Sequence, residues 1–329
     1  MRGRACLGGR QAVMAAAGDA VRAQDISAGT VARRHCATPS RRIRPVIDGQ
    51  DSPFDRHRLL IEAILPEMAG QAVVSHQSAA VLYGTTLWRA PLDRVCVTRN
   101  RRGGGRIRPH TWVQGSPVDS VSEIDGFLVT TPARTVVDLA LTLPFDAAVV
   151  AGDSLAGTFG LTRAELEHEL GLARRKHGIA QAKRVVAFLD GRSQSAGESL
   201  SRVLIRRLGL PAPRSQGNVL TPDGRFVGRV DFYYENAGVL CEFDGRTRYG
   251  RLLRPGQSAA EAVAKEQTRE NYLRALGFQV VRWTWDDLIG SGIAHRLSTA
   301  LAHGRRHAPD GRVEPAPAVE PRRVVAHSL

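Results

Sequence analysis

Apolar and polar residues alternate over Phe226–Tyr234 and again over Val239–Asp244, which is the clearest pattern in the chain. Two short strands joined by a tight turn at Glu235-Asn236-Ala237-Gly238 fit this pattern. Alternation assigns Val230, Phe232 and Tyr234 to one face, with Val227, Arg229, Asp231 and Tyr233 on the other. Upstream, Leu59, Leu60, Ala63 and Ile64 recur at helical spacing within Arg58–Met68, and Ser75 is placed to cap a helix from His76 through Tyr83. Strands are predicted at Arg94–Thr98, His110–Gln114 and Phe127–Thr130, the last launched from an Asp125-Gly126 turn. Thr131-Pro132 starts a helix that buries Val136, Val137, Leu139 and Ala140. Further helices are predicted over Asp146–Leu155, Arg163–Arg175 and Ala180–Leu189, with Thr162 and Glu165 as a capping box for the second.

The pattern breaks at Asp190–Gly197 and then resumes. A helix over Glu198–Leu208 precedes the hairpin. A long helix over Ser258–Leu276, a strand over Phe278–Thr284 and a helix opening at Trp285 follow it. The expected organisation is a basic, disordered or degenerate arm (1–52), a mixed α/β domain (53–190), a second α/β domain (191–302) and a disordered tail (303–329). Fold class is α/β (α+β) for both domains.

Charge adds a partner class. Lys and Arg number 46 against 32 acidic residues, a formal net charge of +14, which favours nucleic acid. Only Lys176, Lys183 and Lys265 are lysines. A GC-rich genome explains most of that Arg excess but not the net charge. The loop holding Arg99, Arg101, Arg102 and Arg106 is rich in glycine and free of acids, so it is a candidate contact for a phosphate backbone. A solvated hairpin loop is its plainer alternative. The four cysteines form no CxxC pair, and no run of 18 apolar residues occurs. These features predict a soluble, cytoplasmic protein without disulfides, zinc fingers or membrane spans.

The hairpin also carries the candidate chemistry. Its turn places Asp231 directly across from Glu242, with Cβ atoms about 4.5–5.5 Å apart. Opposed carboxylates repel, and a divalent cation with oxygen preference is the simplest compensation. Hydrated carboxylates on an exposed sheet face are the alternative, and the same register sets Arg229 against Asp244 as an ordinary ion pair. Glu198 has a competing role as well, because Ser195 and Glu198 fit a capping box.

Three pieces in order, SAGESLSRVLIRRLGLPAP, GRVDFYYENAGVLCEFDGR and KEQTRENYLRALGFQVVRWTWDDL, resemble the endonuclease-like family related to very-short-patch repair enzymes, within the PD-(D/E)XK superfamily. SHQSAAVLYG and TTPARTVVDLA are similar to the middle region of AbiEi-type antitoxin-like proteins. The first resemblance implies a restriction-endonuclease-like α-β-β-β-α-β core in the second domain. It also implies Mg²⁺ (or Mn²⁺) held by Asp231 and Glu242, with Glu198 completing the shell, and hydrolysis of DNA phosphodiester bonds in repair or phage defence. No small-molecule cofactor is implied. Asp244 stands where the motif has Lys, either as a third ligand or as a loss, and Lys265 on the next helix is the candidate migrated lysine. Arg246 and Arg248 stay protonated, so they serve as candidate DNA contacts rather than bases. The alternative is a non-catalytic, antitoxin-type DNA-binding regulator that retains the nuclease fold.

Overall fold

A computed structural model describes residues 52–68, 70–245, 259–290, 292–304 and 308–329. The expected basic arm therefore lies outside the described residues, and so do Arg246 and Arg248. The chain is mixed α/β and divides into two compact units. One ends at Gly191 and takes in Glu320–Leu329, and the other is Arg192–Val319.

The first unit holds helix α1 (Pro53–Ile64), β1 (Val73–Val74), α2 (His76–Leu82), β2 (Val95–Arg99), β3 (Gly105–Ile107) and β4 (Thr111–Gly115). It continues with β5 (Ser120–Ile124), β6 (Phe127–Thr130), α3 (Pro132–Thr142), α4 (Phe145–Phe159), α5 (Arg163–Leu172) and α6 (Ile179–Phe188). Local chemistry starts these helices as the sequence implies. The Thr131 hydroxyl accepts from Arg134 N with Pro132 in the first turn, and Thr162 and Glu165 close a reciprocal capping box. Ser75 differs. Its hydroxyl caps nothing and instead meets His76 Nδ1 at 2.9 Å and accepts from the Thr98 hydroxyl.

In the second unit, α7 (Ala196–Arg207) leads to β7 (Arg214–Leu220), β8 (Phe226–Tyr234) and β9 (Val239–Asp244). Helix α8 (Ala259–Ala275), β10 (Gln279–Thr284), α9 (Trp285–Ile289) and α10 (Gly292–Gly304) follow. The tail is not disordered as expected. Arg312–Pro315 forms β11, and Ala326–Ser328 forms β12 in the first unit. Hydrogen bonding on a sheet edge gives these short segments a partner that no periodicity within them announces. The first sheet runs β12-β5-β6-β1-β2-β4-β3 and the second β10-β9-β8-β7-β11. In the second, β9 and β10 are parallel and the other neighbours antiparallel.

Two apolar cores flank the second sheet. Phe232, Tyr234, Val239, Cys241 and Trp283 pack with Ile205 of α7 and with Ile293, Leu297 and Leu301 of α10. Tyr233, Leu240 and Val280 pack with Leu273 and Leu276 of α8. Val230 belongs to this second core, not with Phe232 and Tyr234 as alternation predicts. The alternation of β8 thus slips by one residue at Asp231. On the neighbouring strand, Gln216 adopts a left-handed backbone with φ 60° at the same level.

Candidate functional site

The hairpin register is the one implied by its turn. Phe232 faces Cys241, Tyr233 faces Leu240 and Tyr234 faces Val239, and a left-handed Gly238 closes the connection. Continued by one step, this register sets Asp231 against Glu242. The backbone ladder stops short of that pair, and Asp231 Oδ2 instead accepts a 2.8 Å hydrogen bond from Phe243 N. A carboxylate thus takes the place of a ladder carbonyl.

Helix α7 brings in the third acid. Glu198 is 6% exposed, and its own N–H donates to Ser195 Oγ as an N-cap. Its carboxylate accepts from Ser195 Oγ at 2.9 Å, Gln194 N at 2.9 Å and Gln216 Nε2 at 2.7 Å. The capping reading and the site reading therefore describe one carboxylate, held by the helix start and shared with the sheet. Close packing makes this approach possible. A Cβ on Gly197 would fall 1.9 Å from the Phe243 ring, so only glycine lets α7 reach β9 here. Trp283 of β10 fixes the same helix by donating its indole N–H to Ser201 Oγ at 2.7 Å, while that hydroxyl donates to Gly197 O.

Electrostatics distinguishes the acids. Burial first, and then Glu198 and Glu242, push the Asp231 carboxyl up to about 7, against the Phe243 N–H and Arg229. Glu242 is matched instead. Arg269 of α8 reaches it at 2.6 Å and Arg282 of β10 at 2.8 Å. Both arginines also contact Glu266, and Arg282 contacts Glu270. A Cβ on Gly228 would press on the Arg269 side chain at 3.3–3.4 Å, so a glycine on β8 makes room for that arginine.

The remaining predicted residues scatter. Asp244 is exposed at the end of β9, beside Thr284 in the ladder. Lys265 is exposed on α8 and forms no ion pair among the described residues. Arg229 does not pair with Asp244. Its Nε donates to Gln216 Oε1 at 2.7 Å. Gln216, 2% exposed, thus joins the site without having been anticipated. The Asp223-Gly224 pair between two alternating runs is the hairpin signal that would have brought β7 alongside β8.

In the first unit, Arg99 ends β2, Arg101 and Arg102 are exposed in the following loop, and Arg106 is exposed on β3. The segment expected to be loop thus includes an edge strand. Gly103 and Gly104 have positive φ, and a Cβ on Gly115 would collide with the Gly103 carbonyl oxygen at 2.1 Å. The glycines accordingly let two backbones touch, which accounts for them without a bound phosphate. Arg99, Asn100 and Arg101 line a cavity of about 220 Å³ together with Gln71, Val73 and Leu329.

A divalent cation suits the second-unit acids by donor chemistry. All three offer carboxylate oxygens, and the charge at Asp231 is opposed rather than balanced by the two glutamates. Among the described residues, no three His, Cys, Asp or Glu side chains are gathered closely enough to hold a metal ion as they stand. Glu242 is turned to arginine instead. Among those residues, no helix is long and apolar enough to cross a membrane.

The chain is 27% identical over 245 residues to two Mycobacterium tuberculosis proteins, from strains CDC 1551 / Oshkosh and ATCC 25618 / H37Rv, both described as uncharacterized. The match spans 72% of this chain and 85% of each relative. No family model and no solved structure matches the chain.

Proposed function

We propose that the second unit is a restriction-endonuclease-like domain that hydrolyses DNA phosphodiester bonds with Mg²⁺ or Mn²⁺. The carrying observation is the buried Asp231, whose negative charge is opposed by Glu198 and Glu242 and so invites a cation. The element order α7-β7-β8-β9-α8-β10 and the resemblance of the three quoted segments support the same reading. Asp231 and Glu242 would hold the metal, with Glu198 completing the shell. When bound, the metal would supply Lewis-acid stabilisation of the phosphate and a more acidic attacking water.

The residues themselves have distinct roles in this proposal. Glu198 accepts from Ser195, Gln194 and Gln216 and orients the site, while Asp231 is the acid that burial and its acidic neighbours push up to about 7. Arg269 and Arg282 neutralise Glu242, and a bound phosphate would compete with it for them. The excess positive charge of the chain supports DNA as the partner, with Arg99, Arg101, Arg102 and Arg106 as backbone contacts.

A second reading is a DNA-binding regulator of antitoxin type that retains the fold without catalysis. Asp244 in the place of the motif lysine and the two arginines on Glu242 favour it. Supercoiled, linear and mismatched DNA incubated with Mg²⁺, Mn²⁺ or chelator separates the two. Metal-dependent nicking that disappears in Asp231→Asn supports the nuclease. Salt-sensitive binding without cleavage would sink the nuclease reading and leave the regulator. In either case, replacing Arg99, Arg101 and Arg102 by Ala should flatten the salt dependence of DNA binding.

A further inference from the structure

The two edges of the first sheet differ. At one, β12 lies along β5 and pairs Ala326–Ser328 with residues 120–122. At the other, no strand lies beyond β3 among the described residues. The ladder with β4 shows which backbone groups this leaves open. Gly115 N donates to Gly104 O at 2.6 Å and Arg108 N to Thr111 O at 2.8 Å, so Gly104, Arg106 and Arg108 turn their backbone groups towards β4. Gly105 and Ile107 lie between them and turn N–H and C=O outward. All three residues of β3 are exposed. Their side chains differ from face to face. Ile107, 68% exposed, shares a face with its ladder partner Trp112, while Arg106 lies on the opposite face with Val113. Arg101, Arg102 and Arg108 are exposed in the adjoining loops, and with Arg106 they make no ion pair among the described residues. No acidic residue occurs between Arg94 and Val118.

We propose that the open edge of β3 is a docking site for an extended acidic protein segment, which adds to the sheet as a further strand. Its backbone pairs with the outward groups of Gly105 and Ile107. Acidic side chains at alternate positions meet Arg106 and the arginines of the adjoining loops, and apolar side chains between them lie against Ile107. Charge selects this occupant. A second copy of the chain would set arginine against arginine across the new pairing, and like charges there repel. DNA phosphates would engage the arginines but leave Ile107 and the outward carbonyls unused, whereas an extended peptide uses all of them. The inference is independent of the cation reading of the second unit, and it shares Arg106 with the DNA contacts proposed above.

The test follows the fluorescence anisotropy of a labelled peptide of about eight residues alternating Glu and Val, titrated with the full chain. One control peptide carries the same residues in two blocks, and another is the alternating peptide methylated on its backbone nitrogens. The alternating peptide should bind about tenfold more tightly than either control, since both lose strand pairing but keep the charge. Ile107→Pro removes an outward N–H at an edge position where proline is tolerated, and should weaken the peptide about tenfold. The same variant should keep its affinity for a short DNA duplex within about twofold, because phosphate contacts need only the arginines. Arg106→Glu should weaken the peptide by a similar factor. If Ile107→Pro does not fold, the methylated peptide tests the same bonds from the other side. Equal binding of the three peptides would overturn the proposal by reducing the edge to a charged surface. No binding would overturn it by showing that the arginines merely keep the edge unpaired. Duplex binding that is lost in Arg106→Glu, with no peptide binding, would give the edge to nucleic acid instead.

Discussion

Two aspartates withdrawn from water, Asp138 in the first unit and Asp231 in the second, end in opposite states. Burial works to raise both. At Asp138, His76, Arg134 and Lys176 overcome it and hold the carboxyl below the usual carboxylate range. Arg134 Nε meets Asp138 at 3.0 Å and Lys176 Nζ at 3.6 Å, while Arg134 also donates to Ser116 Oγ and Pro117 O. At Asp231 the nearby charges are chiefly Glu198 and Glu242, and the carboxyl rises to about 7. Burial alone therefore says little about the role of an acid. The sign of its neighbours separates a cluster that holds elements together from one that carries an unmet charge.

The largest effect is expected on the balanced side. Asp138→Asn leaves Arg134 buried without its counter-charge, so the first unit should lose about 3–5 kcal/mol. Urea unfolding followed by a first-unit probe measures this, and a loss below about 1 kcal/mol would break the contrast. Asp231→Asn should act in the other direction. A carboxyl raised in the fold favours the folded state at pH below its unfolded value, and that contribution is lost as pH rises towards about 7. Without metal, the variant should therefore be more stable than the wild type near pH 8, by at most about 4 kcal/mol, and the gain should fade towards pH 4. A loss of stability near pH 8 would show that Asp231 is compensated after all.

How far each region was legible follows from the same physics. The hairpin register could be read because a short turn fixes it and alternation marks its strands. The starts at Thr131 and Thr162 could be read because caps are local. Glu198 and Asp231 were legible as acids on a helix and a hairpin strand, where they lie, and their sequence neighbours carry the resemblance. The slip at Asp231 was not legible, because it goes with a left-handed backbone at Gln216 on another strand, which no alternation within β8 records. The Arg269 and Arg282 contacts with Glu242 were hidden for a similar reason. They join residues 27 and 40 positions away through packing that no periodicity records. The tail strands β11 and β12 depend on partners rather than on their own pattern.

The smallest predicted effect probes the acid-rich cluster itself. Glu198 is the largest charge acting on Asp231, whereas Glu242 acts less and already faces Arg269 and Arg282. Glu198→Gln should therefore lower the titration midpoint of Asp231 by about one pH unit, and Glu242→Gln by roughly half as much or less. Carboxyl carbon shifts of Asp231, followed across pH in metal-free protein, read both directly. Neutralising Glu242 also frees Arg269 and Arg282, which adds some positive field and enlarges its effect, so the comparison is weighted against the expected ranking. If Glu198→Gln still moves the midpoint further, the two arginines shield Glu242 and the stronger coupling to Asp231 is that of Glu198. Equal shifts would mean that the arginines do not shield it, and the three acids would then act as one cluster.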